Sequence, residues 1–255
     1  MKKAIRTLDK LFSLFSAPHP FTSAIIVAGG SGVRMGGSVT KQHMLLRGIP
    51  VVVHTLLNFE NSQDIDEIIL VSKREEIPLY QEYIKKYSLR KIKRITAGGS
   101  TRTESVLNGF RAISDKSRFV AIHDGVRCLI TPKNISDVLG AAYHSGAACA
   151  VRICTDTVKS LNTTGQIVST IDRDFCRLAT TPQVFKTELY RAAVYTAKKD
   201  GFSATDDSAL VERLGFFVTP VDCGNENIKI TTPTDLLLAE SILHARSVEE
   251  RKESI

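Results

Sequence analysis

With 255 residues, 43% of them hydrophobic, the chain is long enough to bury a sizeable core as one large α/β domain or two small ones. Its formal charge of +7 is spread along the sequence, and the densest run, 85–94, lacks the aromatic interleaving of a nucleic-acid surface. That balance suits small anionic substrates and gives no sign of a nucleic-acid partner. Apolar runs fall short of the ~20 residues a bilayer span needs, and five cysteines without a C-x-x-C pair indicate neither a zinc knuckle nor a disulfide framework. A reducing cytoplasm is the expected compartment, with no membrane attachment.

Residues 1–22 form an N-terminal extension. Ile5, Leu8, Leu11, Phe12 and Phe15 repeat at helical spacing among Lys2, Lys3, Arg6 and Lys10, and Pro18 and Pro20 close the segment. Ser13 and Ser16 interrupt its apolar part and no small-x-small cleavage site follows, so a short amphipathic extension is expected rather than a signal peptide. Residues 24–28 then read as a buried strand feeding a loop with glycines at 29, 30, 32, 36 and 37 and two cations, Arg34 and Lys41. Backbone N–H groups approach an anion most closely where no Cβ intervenes, so the loop reads as a phosphate cradle rather than a plain tight turn. It is neither a dinucleotide fingerprint nor a P-loop: Met35 stands where the third glycine belongs, the next acidic residue after the loop is Glu60, not at the distance needed to hold a ribose, and Ser38 follows Gly37.

Helices are expected over 51–59, behind Pro50, and over 78–87; strands over 68–71 and 92–96. Alternation at this spacing predicts a doubly wound α/β first half with parallel strands and right-handed crossovers. A second glycine loop, 97–105, again follows a strand and opens a helix over 103–113. Loops at the carboxyl ends of strands share one crevice, so Gly98 and Gly99 would admit a base or ribose while Arg102 and Ser105 donate. A strand over 119–122 ends in His123-Asp124-Gly125-Val126-Arg127. Asp124 is placed to hold a divalent cation or to cap the next turn, and His123 reads as a packed neutral histidine.

A helix over 132–143 and a strand over 147–151 follow. From 152 to 178 the β-forming pieces 155–161 and 166–171 flank Asn162-Thr163-Thr164-Gly165, the signature of a hairpin. An arm of that length exposes edges that pairing with another subunit would cover. Thr181-Pro182-Gln183-Val184-Phe185 is expected to lead a helix to 198, Thr205 to Ser208 to cap another through 213, residues 216–221 and 227–231 to form strands, and 233–244 the closing helix. Lys229, between two isoleucines, is expected to point into the crevice.

Taken together, Ala28-Gly29-Gly30-Ser31-Gly32-Val33-Arg34-Met35-Gly36, Lys41-Gln42, Gly98-Gly99-x-x-Arg102-x-x-Ser105, His123-Asp124-x-x-Arg127, Asp156-Thr157-Val158-Lys159, Thr181-Pro182-Gln183, Thr205-Asp206-Asp207 and Asn227-Ile228-Lys229-Ile230-Thr231 resemble the 2-C-methyl-D-erythritol 4-phosphate cytidylyltransferase family, from about residue 23 to 243. The resemblance implies a Rossmann-like, GT-A-like nucleotidyltransferase domain over 23–246, with a mostly parallel central sheet and a protruding β-arm at about 152–178, and a tail over 247–255. It implies a homodimer joined by exchanged arms, and magnesium-dependent transfer from CTP to the polyol phosphate, releasing pyrophosphate. Matched position by position, Arg34, Lys41, Arg173 and Lys229 are the implied catalytic cations. Ala28, Gly29, Gly30, Gly32, Gly99, Arg102 and Ser105 would bind CTP; Asp124, Arg127, Thr157 and Thr205 would bind substrate, with Asp124 also at the metal. Thr40 and Cys128 stand where the family usually has prolines, and Gly125-Val126 replaces a commoner pair of alanines. A ribitol 5-phosphate cytidylyltransferase shares the CTP site and the arm and is the nearest alternative. An NAD-binding oxidoreductase is supported by the glycine loop alone.

Overall fold

The computed structural model of the protein describes residues 19–30 and 40–253. The amphipathic pattern over 1–18, and with it most of the predicted extension, lies outside the described residues, as do Gly32 and Arg34 of the first glycine loop.

The chain opens with β1 (Thr22–Val27), a small hairpin β2 (Leu45–Leu46) and β3 (Ile49–Pro50), and helix α1 (Val51–Asn61). There follow β4 (Glu67–Ser72), α2 (Ile77–Lys86), β5 (Ile92–Ala97), α3 (Arg102–Phe110), β6 (Phe119–Asp124), α4 (Pro132–Ser145) and β7 (Ala147–Ile153). The arm hairpin is β8 (Val158–Leu161) and β9 (Ile167–Ile171), after which come β10 (Arg177–Lys186), α5 (Thr187–Lys199), α6 (Ser208–Glu212), β11 (Thr219–Asp222) and α7 (Pro233–Glu253). Seven strands make one sheet in the order β11-β7-β10-β6-β1-β4-β5, mostly parallel. β1 runs parallel to both β4 and β6, with Val27 level with Val71 and Asp124, and Ser72 pairs with Ala97. The carboxyl ends of β1, β4, β5 and β6 therefore finish at one edge, where an open α/β sheet places its crevice.

The inner strands are buried on both faces, which is why they read as continuous apolar runs instead of alternating. Successive side chains feed two cores. Ala24, Ile26, Ile68 and Leu70 pack under α1 and α4 with Leu56, Phe59, Val138 and Leu139. On the opposite face Ile25, Val71, Val120 and Ile122 pack with Val106, Phe110, Phe185 and Tyr190. Gly109 sits where α3 crosses the sheet, and a Cβ there would lie 2.6 Å from Ile25 Cγ2 and 2.8 Å from Val71 Cγ2. That close approach fixes the height of α3 over the sheet.

Three expectations are corrected. Residues 181–185 do not lead a helix: they belong to β10, a ten-residue strand that runs antiparallel between β6 and β7. Proline normally argues against an inner strand, but Pro182 sits inside a register shift between Ala179 and Gln183, where the ladder to β7 is already interrupted. Residues 227–231 form no ladder; the segment is held by Ile230 N–H donating to Val126 O at 2.9 Å and by Arg127 Nη1 donating to Asn227 O at 2.9 Å. The strand expected from 216 begins only at Thr219 and pairs with β7, leaving Phe216 and Phe217 exposed outside it. The expected hairpin is present: β8 and β9 pair antiparallel as a sheet of their own, apart from the main one.

Candidate active site

A cleft of about 340 Å³ opens at the carboxyl edge of the sheet. Ala28, Gly29 and Gly30 form one wall, Gly99 to Arg102 with Ser105 the other, and Asp124, Lys229 and Lys41 complete it. The walls are tied down by short local bonds. Ala28 N–H donates to Val71 O at 2.7 Å and Gly98 N–H to Ser72 O at 2.8 Å. Gln42 Nε2 reaches Gly30 O at 3.3 Å, linking the turn that carries Lys41 to the glycine loop.

The second loop is shaped to enter α3. Thr101 caps the helix by accepting from Glu104 N at 3.1 Å, while the Glu104 carboxylate accepts from Ser100 N at 2.7 Å and Ser100 Oγ at 2.6 Å. Ser105 Oγ donates to Thr101 O at 2.9 Å and accepts from Gly99 N at 3.1 Å, so its hydroxyl closes the loop. A Cβ on Gly99 would lie 2.3 Å from Glu104 Cβ, so this tight wall requires glycine. The first turn of α3 thus presents backbone N–H groups and the helix dipole to the cleft, an arrangement suited to anions.

Asp124, 8% exposed at the end of β6, is the hub. Lys229 Nζ donates to Oδ2 at 2.8 Å, Arg102 Nε donates to Oδ1 at 3.1 Å, and Arg127 Nε lies 3.8 Å from Oδ2. Burial alone would raise the Asp124 carboxyl's pKa, but Arg102, Lys229 and Arg127 outweigh it and hold the group well below the usual carboxylate range. Behind the hub, Asp124 N–H donates to Thr181 Oγ1 at 3.1 Å, and Thr181 Oγ1 is 3.0 Å from His123 Nδ1. His123 Nε2 is 3.3 Å from Arg127 O. A neutral imidazole protonated at Nε2 satisfies the whole chain, with the threonine donating to Nδ1 and the imidazole to the carbonyl. His123 is completely buried, and burial pushes its pKa down to about 3, the nearby Arg127 and Arg102 adding to the effect and Asp124 opposing it. The packed neutral histidine expected from the sequence is what the fold contains.

The sequence-named residues divide into four groups. Ala28, Gly29, Gly30, Lys41, Gly99, Arg102, Ser105, Asp124 and Lys229 line the cleft. Arg127 sits behind Asp124, its guanidinium tied to Asn227 O. Thr157 and Arg173 stand exposed on the arm, where Arg173 Nη1 donates to Thr155 O at 2.9 Å, and Thr205 is exposed ahead of α6; none of the three lines this chain's cleft. Gly32 and Arg34 lie outside the described residues. Sequence reasoning missed the buried supports: Thr181, Gln183, Tyr190, Asp207 and Asn227. Tyr190 and Gln183 occupy helix and strand positions that read as ordinary packing, and Asp207 read as a helix cap. For all but Tyr190 the usable signal was their place in the motifs Thr181-Pro182-Gln183, Thr205-Asp206-Asp207 and Asn227-Ile228-Lys229-Ile230-Thr231.

Among the described residues no group of three or more His, Cys, Asp or Glu side chains is placed to hold a metal ion. No described helix is long and apolar enough to cross a membrane.

Comparison with known proteins gives one consistent answer. The family model described as 2-C-methyl-D-erythritol 4-phosphate cytidylyltransferase matches residues 22–245. Curated proteins of that name are 46% identical over 225 residues in Syntrophus aciditrophicus (88% of this chain, 96% of that protein) and 42% identical over 223 residues in Bacillus cereus (87% and 97%). Among solved structures, 4-diphosphocytidyl-2C-methyl-D-erythritol synthase from Anaerococcus prevotii superposes with a TM-score of 0.79 at 31% identity, covering 88% of this chain and 98% of that one. The Thermus thermophilus 2-C-methyl-D-erythritol 4-phosphate cytidylyltransferase gives 0.71 at 30% identity, over 87% and 98%.

Proposed function

The chain belongs to the 2-C-methyl-D-erythritol 4-phosphate cytidylyltransferase family, and from that premise we propose how its own residues carry out the reaction. The protein transfers a cytidylyl group from CTP to 2-C-methyl-D-erythritol 4-phosphate in isoprenoid precursor synthesis. A phosphate oxygen of the polyol phosphate attacks the α-phosphorus of CTP; that P–O bond forms, the bond from the α-phosphorus to the bridging oxygen breaks, and pyrophosphate leaves with the electron pair. The nucleophile is already an anion, so no general base is needed. What the protein must supply is alignment and neutralisation of charge.

The observation that carries this reading is the pairing of Lys229 and Arg102 with one buried carboxylate, Asp124, in a cleft that Lys41 and the two glycine loops also line. In this assignment Ala28, Gly29, Gly30, Gly99, Arg102 and Ser105 receive the cytidine nucleotide, together with Gly32. Lys41 and Arg34 stabilise the charge that develops on the triphosphate. Lys229 faces the acceptor phosphate, with Asp124, Arg127, Thr157 and Thr205 on the polyol side. The catalytic unit spans 23–246.

Asp124 fits a magnesium ion of the kind that takes one protein carboxylate and completes its shell with substrate phosphates and water. It is the one carboxylate lining the cleft among the described residues. Bound there, magnesium would add electrostatic stabilisation to the phosphates.

Arg173 would act on the acceptor phosphate of the partner subunit's cleft, because it lies on the arm and outside its own chain's cleft. Leu161, Ile167, Val168, Ile171 and Phe175, all exposed on or beside the hairpin, supply the apolar surface for exchanged arms in a homodimer. All five cysteines are free thiols, four of them buried, which suits a reducing cytoplasm.

The test is pyrophosphate release from CTP by the purified, folded protein with magnesium and either polyol phosphate. Turnover with methylerythritol phosphate well above that with ribitol 5-phosphate is expected. Absence of turnover with the former sinks the reading.

A further inference from the structure

Arg102 occupies the first position of α3, where the helix dipole disfavours a cation, and its side chain must cross to the cleft floor. Two carboxylates hold it there. One is Asp124; the other, Asp207, does not itself line the cleft, meets Arg102 Nη1 at 2.8 Å and is only 2% exposed. Both carboxylate oxygens of Asp207 and its backbone N–H are engaged. Its Oδ1 accepts from Tyr190 Oη at 2.6 Å, and its backbone N–H donates to Gln183 Oε1 at 3.0 Å, as does that of Ser208. Gln183 Nε2 in turn donates to Asp206 Oδ2 at 2.7 Å, while Asp206 Oδ1 caps α6 by accepting from Ala209 N at 3.1 Å. Tyr190 is locked by stacking on Phe185, with ring centroids 5.3 Å apart, and by an edge contact to Phe110.

The two adjacent aspartates thus do different work: Asp206 caps the helix and Asp207 aims an arginine. We propose that Asp207, braced by Tyr190 and Gln183, is the positioning residue that presents the Arg102 guanidinium to the nucleotide in the cleft. This rests on the assignment of Arg102 to the CTP half of the site. With Nε and Nη1 engaged by the two carboxylates, Nη2 has no hydrogen-bond partner among the described residues and is left for the ligand.

Steady-state kinetics of Asp207→Asn, Tyr190→Phe and Arg102→Ala, with thermal melting of each, test the idea. Losing one charge-assisted bond predicts that Asp207→Asn raises KM for CTP about tenfold, and Tyr190→Phe raises it less. In both, KM for methylerythritol phosphate stays within about twofold, since that substrate meets other residues. Unchanged KM for CTP in folded Tyr190→Phe and Asp207→Asn, while Arg102→Ala raises it, overturns the positioning role. Unchanged KM for CTP in Arg102→Ala overturns instead the assignment of Arg102. A merely structural Asp207 would lower the melting temperature and active fraction and leave both KM values where they were.

Discussion

Asp124 on the crevice floor is 8% exposed and surrounded by cations, whereas Phe175 on the arm is 89% exposed and Ile167 64%. The crevice is over-determined by its own chain: glycine loops, a capped helix and a buried imidazole each fix part of it. The arm is a pair of strands whose large apolar side chains face solvent, with Val158 and Ser160 half-buried beside exposed neighbours. A surface of that kind gains little from folding alone, and in the proposed homodimer a second copy of the chain would cover it. The crevice is therefore held in shape by its own chain, whereas the arm leaves exposed an apolar surface that the proposed dimer would cover.

The largest effect belongs to the crevice. Lys229→Ala should lower kcat/KM on the order of a hundredfold or more, roughly 3 kcal/mol, in a protein that still melts cooperatively. Retention of activity within a few-fold would remove Lys229 from the site.

Next comes the acid sensitivity of the crevice's support. His123 is neutral in the fold, with a pKa near 3 against an ordinary 6.5. A depressed folded-state value adds stability above the unfolded value, and that contribution is lost as pH falls through 6.5 towards 3. Denaturant unfolding should accordingly show stability about 2 kcal/mol lower at pH 5 than at pH 8. His123→Gln should flatten that slope, and an arm variant should keep it. Asp124, held below the ordinary carboxylate range, adds stability that is present above about pH 4 and lost only in stronger acid.

A smaller effect is expected on the arm. Replacing Ile167 and Phe175 together by Asp should shift sedimentation from dimer to monomer and lower turnover at submicromolar protein by about tenfold, with far-ultraviolet circular dichroism unchanged. A variant that stays dimeric would detach the arm from assembly. Smallest is the surface control: Lys133 Nζ lies 2.6 Å from Asp137 Oδ2, yet Lys133→Ala should change stability by less than about 0.5 kcal/mol, because both groups are solvent-screened.

The sequence made the crevice legible because its chemistry is local. Glycines beside Arg34 and Lys41, and Asp124 after an apolar strand, carry their meaning in adjacent positions. What lay hidden depends on distant partners. β10 escaped notice because Pro182 and the polar Thr180, Thr181 and Gln183 break an apolar pattern; the fold turns these same residues inward to bond Cys149, Asp124, Asn227 and Asp207. Asp206 and Asp207 look alike in sequence, and only the placement of α3 and α5 separates a helix cap from the brace of an arginine. Residues 227–231 alternate like a strand, but they bond to the Val126–Arg127 loop beyond the end of β6, which puts Lys229 on Asp124, and join no ladder among the described residues.

The central claim, that one subunit's crevice and the neighbour's arm form a single site, is tested most directly by subunit mixing. Lys41→Ala and Arg173→Ala proteins, each inactive alone, should recover about a quarter of wild-type activity after random exchange, because half the dimers are mixed and each mixed dimer holds one intact site. Activity that stays at the level of the inactive parents, with exchange confirmed by mass, would contradict the account and place Arg173 in its own chain's site or in none.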